Sequence, residues 1–326
     1  MNKLPFETIQ RETLVKKAFE TNFNLGGRPE DRSVEDLIKY GIINLNKPSG
    51  PTSHQVADYV KKILKIKRCG HAGTLDPKVV GVLPIALDKA TRIVQVLLPA
   101  GKEYVCLMHL HKEVEEEKVK KAFENFVGEI KQIPPIRSAV KRQERKRNIY
   151  YIDLMEIDKK DVLFRIGCQA GTYIRKFVSD FGKTLGIGAH MHQLVRTKAG
   201  PFTDKEMFNL HDLKDAYAFW QEGDDKEIRK VILPFEAAVN HLPKIWVVDG
   251  AVDPLCHGAD LYLAGISKLE SNIEINDLVA IMTLKDELVC IGNSQLNSKD
   301  IVKTEKGTAV KTTKVFMERG KYRLKK

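Results

Sequence analysis

The chain has 326 residues, a length that suggests two domains, and 43% of them are hydrophobic, enough for globular cores. Its 54 Lys and Arg against 43 Asp and Glu leave a net charge of +11, which points to nucleic acid or an acidic surface as a partner. The five cysteines (Cys69, Cys106, Cys168, Cys256 and Cys290) form no Cys-x-x-Cys pair, which argues against a zinc ribbon or a disulfide framework and fits a reducing cytosol. The N-terminus lacks an apolar core, and no apolar run approaches the ~20 residues of a spanning helix, so a soluble, intracellular chain without membrane association is expected.

Residues 1–32 are polar and mixed in charge, broken by Gly26-Gly27-Arg28-Pro29, and read as an N-terminal arm. Ser33 to Tyr40 fits a short helix with Ser33 as N-cap. Gly41 to Asn46 reads as a strand running into Lys47-Pro48-Ser49-Gly50-Pro51-Thr52-Ser53-His54. Thr52 or Ser53 can cap the next helix, whose apolar positions Val56, Val60, Ile63 and Leu64 keep helical spacing. Then comes Gly70-His71-Ala72-Gly73-Thr74-Leu75-Asp76-Pro77. Gly70 and Gly73 allow backbone conformations closed to other residues, and Pro77 biases Asp76 away from helix. The loop presents one carboxylate, Asp76; a plain turn before proline would use the same residue types. Asp88 to Leu98 fits a helix stopped by Pro99, Tyr104 to His111 a strand, and Glu115 to Phe126 a helix. His109 and His111 share one face of that strand, but two ligands without a third assign no metal.

After Pro134-Pro135-Ile136 the cations Arg137, Lys141, Arg142, Arg145, Lys146 and Arg147 are offset only by Glu144. A solvated loop could carry such a run. Inside a folded domain, between two β-like segments, it suits a grip on RNA phosphates through counterion release. Ile149 to Ile157 and Val162 to Gln169 read as paired strands. Gly171-Thr172-Tyr173-Ile174-Arg175 leads into a helix that stops near Gly186. An Arg in a first helical turn opposes the helix dipole, so Arg175 calls for a specific partner. Ala189 to Thr197 is a further strand, and Leu210 to Trp220 and Ile228 to Val239 are expected helices. After Pro243 short β-like runs recur at 245–248, 261–263, 278–282 and 288–291, punctuated by Gly258, Gly265 and Gly292, which suggests a small β-barrel. The end of the chain, Arg319 to Lys326, is basic and expected to fray. No dinucleotide or P-loop glycine pattern occurs, which agrees with chemistry that needs no cofactor.

Three ordered segments carry a family resemblance: Lys47 to His54, Gly70 to Pro77, and Ala100-Gly101-Lys102-Glu103-Tyr104. Together they resemble the RNA pseudouridine synthases of the TruB/dyskerin type, over about residues 41–320. The Arg-Ser-Ala-Val-Lys-Arg wording at 137–142 is similar to the guide-RNA-dependent branch, and His257-Gly258-Ala259-Asp260 resembles a PUA domain. The resemblance implies an α+β architecture: a mixed, mostly antiparallel sheet for the catalytic domain at 33–240, a PUA-like β-barrel at 241–320, and a basic tail at 321–326. It also implies that the arm packs on the C-terminal domain and that Asp76 is the catalytic acid. Tyr104 would stack on the flipped uracil, and Arg175 would hold the Asp76 carboxylate. Tyr173 and Leu194 would wall the pocket, Lys47 and Pro48 would support the loop, and His71 would assist RNA binding. Arg137, Lys141, Arg142, Arg145, Lys146, Arg147, His257, Gly258 and Ala259 are the expected RNA contacts. The implied role is the catalytic subunit of an archaeal-type box H/ACA ribonucleoprotein acting on rRNA, and also directly on the T-loop uridine of tRNA. Its implied partners are a guide RNA, two small accessory proteins and a kink-turn-binding protein, in the cytoplasm. A stand-alone tRNA enzyme and a non-catalytic RNA-binding scaffold are the alternatives.

Overall fold

The computed structural model describes residues 2–134 and 141–323. In chain order the arm supplies β1 (Thr13–Val15), followed by α1 (Val34–Tyr40), β2 (Gly41–Lys47), α2 (Ser53–Ile63), β3 (Cys69–His71) and β4 (Val80–Leu87). Next come α3 (Val94–Leu97), β5 (Lys102–Leu110), α4 (Glu116–Glu124), β6 (Gly128–Gln132), β7 (Arg145–Asp158), β8 (Asp161–Cys168), α5 (Ile174–Thr184), β9 (Ala189–Ala199) and β10 (Phe202–Thr203). The remainder is α6 (Leu210–Gln221), α7 (Lys226–Val231), β11 (Leu233–Pro234), β12 (Lys244–Val247), α8 (Asp249–Cys256), β13 (Leu261–Tyr262), β14 (Ile266–Glu270), β15 (Leu278–Thr283), β16 (Leu288–Ser294), α9 (Ser298–Lys303) and β17 (Thr308–Val315).

Local chemistry starts the helices where the side chains allow. Ser33 Oγ accepts from the Asp36 amide to open α1, and Thr52 with Gln55 forms a reciprocal cap on α2. A larger sheet runs β11-β2-β4-β9-β5-β8-β7-β6, with β3 added beside β4 and β10 beside β9. Its pairings are antiparallel except β4 with β9. Every residue of β4 after Val80 is buried, which is why its sequence is an unbroken apolar run rather than an alternating one. Over one part of this sheet α4 and α5 bury Phe123, Phe177 and Phe181 against Phe164. Each such ring contributes about 1.5–3 kcal/mol through lost water contact. Over another part α1, α2, α6 and α7 pack with Leu45, Leu83 and Ile85.

A smaller sheet runs β1-β14-β12-β15-β16-β17-β13 and has its own core, which includes Ile245, Leu269, Ile281 and Val289. The arm is its first strand: Thr13 to Val15 pair antiparallel with Glu270 to Lys268. A shared apolar seam of Ile42, Phe235, Trp246, Met282, Leu288 and Phe316 joins the two sheets. The bidentate pair of Arg32 with Glu236, at 2.6 and 2.7 Å, ties the arm to that seam.

Several sequence expectations need correction. Asp88 to Leu98 is not one α-helix: Asp88–Ile93 is a 3-10 turn, and only Val94–Leu97 is α. The expected helix from Ile228 to Val239 ends at Val231, because Pro234 cannot continue it and Leu233-Pro234 pairs with β2 instead. In the C-terminal region α8 and α9 interrupt what reads as purely β. The basic end is anchored rather than frayed through residue 323. Tyr322 is buried and donates to Glu287 at 2.6 Å.

Candidate active site

The loop between β3 and β4 is held from below by main-chain contacts that leave its tip free. The Ala72 amide donates to Pro84 O at 2.9 Å, Val79 N to Asp76 O at 3.0 Å, and Gly50 N to Pro77 O at 2.9 Å. Ser53 Oγ both accepts from Leu75 N and donates to Leu75 O, at 2.8 and 3.1 Å. The buried ammonium of Lys47 donates to Pro48 O, Pro77 O and Val79 O at 2.8, 3.0 and 2.9 Å. Burial pushes its pKa down, partly offset by Asp76. Gly73 takes φ +111°, a conformation that disfavours a side chain. Gly70 does not share that need; it sits in β3 with ordinary van der Waals space around its missing Cβ.

Asp76 emerges from this cradle with its side chain half exposed. Arg175 Nη2 meets Asp76 Oδ2 at 2.6 Å. The apolar positions Ile174, Phe177, Val178 and Phe181 fix one face of α5 in the core, and Arg175 falls off that face toward the loop. The helix start is clamped by buried Gln132. Its Oε1 accepts from Tyr173 N at 3.0 Å, and its Nε2 donates to Tyr173 O at 3.2 Å. The guanidinium at a helix N-terminus, unfavourable alone, is offset by the Asp76 carboxylate.

Tyr104 lies on β5, opposite Ile166 of β8 and Arg196 of β9. It shares an apolar cluster with Leu75 and Leu194. Burial raises its hydroxyl pKa, and Arg196 opposes the rise. Arg196 escapes sequence reasoning. Its guanidinium is buried, with Nε donating to Val82 O at 2.7 Å and Nη2 to Gly73 O at 3.1 Å. Lys102 also escapes it. Its Nζ donates to Leu97 O, Leu98 O and Ala100 O at 2.9, 2.9 and 2.7 Å, and burial, then Arg196, push its pKa down to about 7. Strand alternation is the signal for Arg196, two residues after Leu194; Lys102 shares it, two residues before Tyr104, and also falls inside a segment that carries the family resemblance. His71 is half-buried at the loop's base. Burial, then His54 and Arg196, lower its pKa, and its Nδ1 has no hydrogen-bond partner among the described residues.

Thus Asp76, Arg175, Tyr104, Leu194 and Lys47 with Pro48 converge around one loop, and Tyr173 immediately precedes the helix that carries Arg175. The basic segment is only partly a loop, since Arg145 to Arg147 begin β7 and pair with β6. The Arg147 guanidinium packs beside Gly171, just ahead of α5. Lys146 pairs with Glu129 at 2.9 Å, and Lys141 and Arg142 are exposed. Arg137 lies outside the described residues. His257, Gly258 and Ala259 follow α8 on the smaller sheet's side; Ala259 O accepts from the Thr312 hydroxyl at 2.8 Å. His109 faces Asp161 at 2.6 Å and His111 meets His190 at 3.2 Å. No group of three or more potential metal ligands occurs among the described residues.

A carboxylate exposed on a rigid loop can act as nucleophile or base, and an aromatic face nearby can receive a base drawn from its stack. Joined to a second sheet of separate core and a net charge of +11, this equipment fits an enzyme of the class that acts on nucleotides of RNA. Comparison with known proteins narrows the class. Residues 61–174 match the TruB family pseudouridylate synthase N-terminal domain, 175–240 the tRNA pseudouridylate synthase B C-terminal domain, 243–316 a PUA domain, and 2–57 a DKCLD (NUC011) domain. A protein of Pyrococcus furiosus named "Probable tRNA pseudouridine synthase B" is 55% identical over 317 residues, 96% of this chain and 93% of its own length. A namesake from Methanothermobacter thermautotrophicus is 53% identical over 307 residues, covering 94% and 95%. Among solved structures, a chain of a Cbf5-Nop10-Gar1 complex superposes with TM-score 0.92 at 54% identity, covering 98% of both chains. A chain from an H/ACA RNP bound to a substrate RNA containing 2'-deoxyuridine gives TM-score 0.91 at 52% identity, covering 98% and 99%. The chain belongs to the TruB family of pseudouridine synthases, which are isomerases.

Proposed function

We propose that this chain is the catalytic subunit of a box H/ACA guide ribonucleoprotein that converts uridine to pseudouridine in rRNA, and that it also acts directly on the T-loop uridine of tRNA. The observation that carries the reading is the Asp76–Arg175 pair at 2.6 Å on an open loop beside Tyr104. In this reading Asp76 engages the nucleoside and Arg175 orients it. Tyr104 receives the extruded base against Leu194 and Tyr173, while Lys47, Pro48 and His71 shape the loop and its RNA approach. Unstacking the uridine costs a few kcal/mol, part of which stacking on Tyr104 recovers. Lys141, Arg142, Arg145, Lys146 and Arg147, with Arg137 in the neighbouring segment, contact RNA phosphates, and His257 to Ala259 contact RNA from the PUA side.

The near-complete overlap with chains of a Cbf5-Nop10-Gar1 complex and of an H/ACA RNP bound to a substrate RNA supports RNA and two small accessory proteins as partners; a guide RNA, a kink-turn-binding protein and a cytoplasmic place of action complete the proposal. No helix among the described residues is long and apolar enough to cross a membrane. A second reading, a stand-alone tRNA enzyme, is favoured by the names of the curated relatives. The deciding experiment incubates purified chain with tRNA and with a guide–target pair, with and without partners, and maps pseudouridine. Modification of the target only with guide and partners supports the first reading; modification of naked tRNA alone supports the second. Asp76→Asn is expected to abolish both while leaving RNA binding intact, and activity persisting in that variant removes Asp76 from its role.

A further inference from the structure

Three cations lie beneath the 70–79 loop, and none of them is ion-paired or hydrogen-bonded to a carboxylate among the described residues. Lys47, Lys102 and Arg196 are 0%, 5% and 1% exposed. Buried charges ordinarily sit beside an opposite charge. These three instead donate to main-chain carbonyls. Three carbonyls around Lys102 Nζ match the three N–H donors of the ammonium form and favour it against the burial that lowers its pKa. The charges also converge. A Cβ at Gly73 would lie 3.4 Å from Arg196 Nη1 and 3.9 Å from Lys102 Cε. Lys102 and Tyr104 project from the same face of β5. The Tyr104 hydroxyl faces Arg196, and Lys47 feels both Asp76 and Arg196.

We infer that Lys47, Lys102 and Arg196 form a cationic floor that stabilises negative charge on the uracil ring while it is detached from its sugar. This rests on the reading of Asp76 as the group that engages the target uridine. When the N1–C1′ bond breaks, its electron pair stays with the base, whichever atom Asp76 engages. The ring bears that charge until C5 forms its bond to C1′. C5 then loses a proton and N1 gains one, so substrate and product contain the same atoms. Charges pinned by backbone carbonyls need no reorientation as the anion develops, and a water-poor setting strengthens them. A purely structural floor would pin the loop and do nothing to the ring.

The two roles separate by leaving-group chemistry. Full-length protein is given, in single turnover, its RNA target carrying either uridine or 4-thiouridine. The thione spreads ring charge better and leaves the C5 hydrogen in place. Lys102→Met is expected to slow conversion of uridine by roughly tenfold or more, to slow 4-thiouridine distinctly less, and to leave RNA affinity unchanged. Lys102→Arg, which restores the charge, should recover the wild-type ratio of the two rates. Equal slowing of both substrates, or none, overturns the inference. If Lys102→Met does not fold, Arg196→Gln gives the same comparison, because it likewise removes one charge of the floor. Wild-type protein converting neither RNA would instead sink the parent reading of Asp76.

Discussion

Asp76 and Arg175 are each more than half exposed, so their ion pair is chiefly a matter of aim rather than of stability. Stability near the site resides in the residues that bend and pin the loop. At Gly73 a side chain would have to hold φ +111°, in ordinary contact with Arg196. Gly73→Ala is therefore expected to cost about 1–2 kcal/mol and most of the activity, whereas Gly70→Ala should stay within about 0.5 kcal/mol. Thermal melts beside turnover assays check the contrast; equal effects would mean that the loop tolerates a relaxed Gly73. Much at this scale is readable in the sequence, because motif residues cluster along the chain. The dipole argument alone demands a partner for Arg175. Lys102 and Arg196 stay hidden, because a cation in an alternating strand reads as solvent-facing. Only the packing of β9 on β4, set by residues more than a hundred positions apart, turns Arg196 inward, and Lys102 turns back onto the carbonyls of Leu97, Leu98 and Ala100.

Among elements, α5 carries Arg175, and Gln132 at the end of β6 decides where that helix begins. Gln132→Ala leaves the Tyr173 amide and carbonyl without this side chain. It should cost about 1–3 kcal/mol and lower turnover more than RNA binding, since it displaces Arg175 and not the phosphate contacts. A variant with wild-type turnover would show that the aromatic core under α5 is enough to place it. The cations at the start of β7 make a different prediction. Neutralising Arg142, Arg145 and Arg147 together should weaken RNA binding and flatten its dependence on salt by up to about three counterions. An unchanged slope would assign them to the hairpin's own surface. Helix and strand positions were largely legible from periodicity. The misreadings fall where pairing overrides local preference, as at Leu233-Pro234, which β2 recruits as a strand.

Across the whole molecule, the junction between the sheets is sensitive to acid. His241 is buried beside the Phe6 ring, and burial, then Lys102, push its pKa down to about 4 from 6.5. Below pH 6.5 the unfolded chain takes up a proton that the folded chain refuses, so stability falls as pH drops from 6.5 toward 4. The loss amounts to at most about 3 kcal/mol. His241→Gln should flatten the melting temperature across that window relative to the wild type; an identical profile would place the acid sensitivity elsewhere. The arm makes a last point at this scale, since Thr13 pairs with Glu270. On the ribosome, the strand made first has no mate until nearly the last strands are made. At about 5–20 residues per second that is a wait of roughly 13–50 s, during which nascent-chain chaperones have a bare hydrogen-bonding edge to shield.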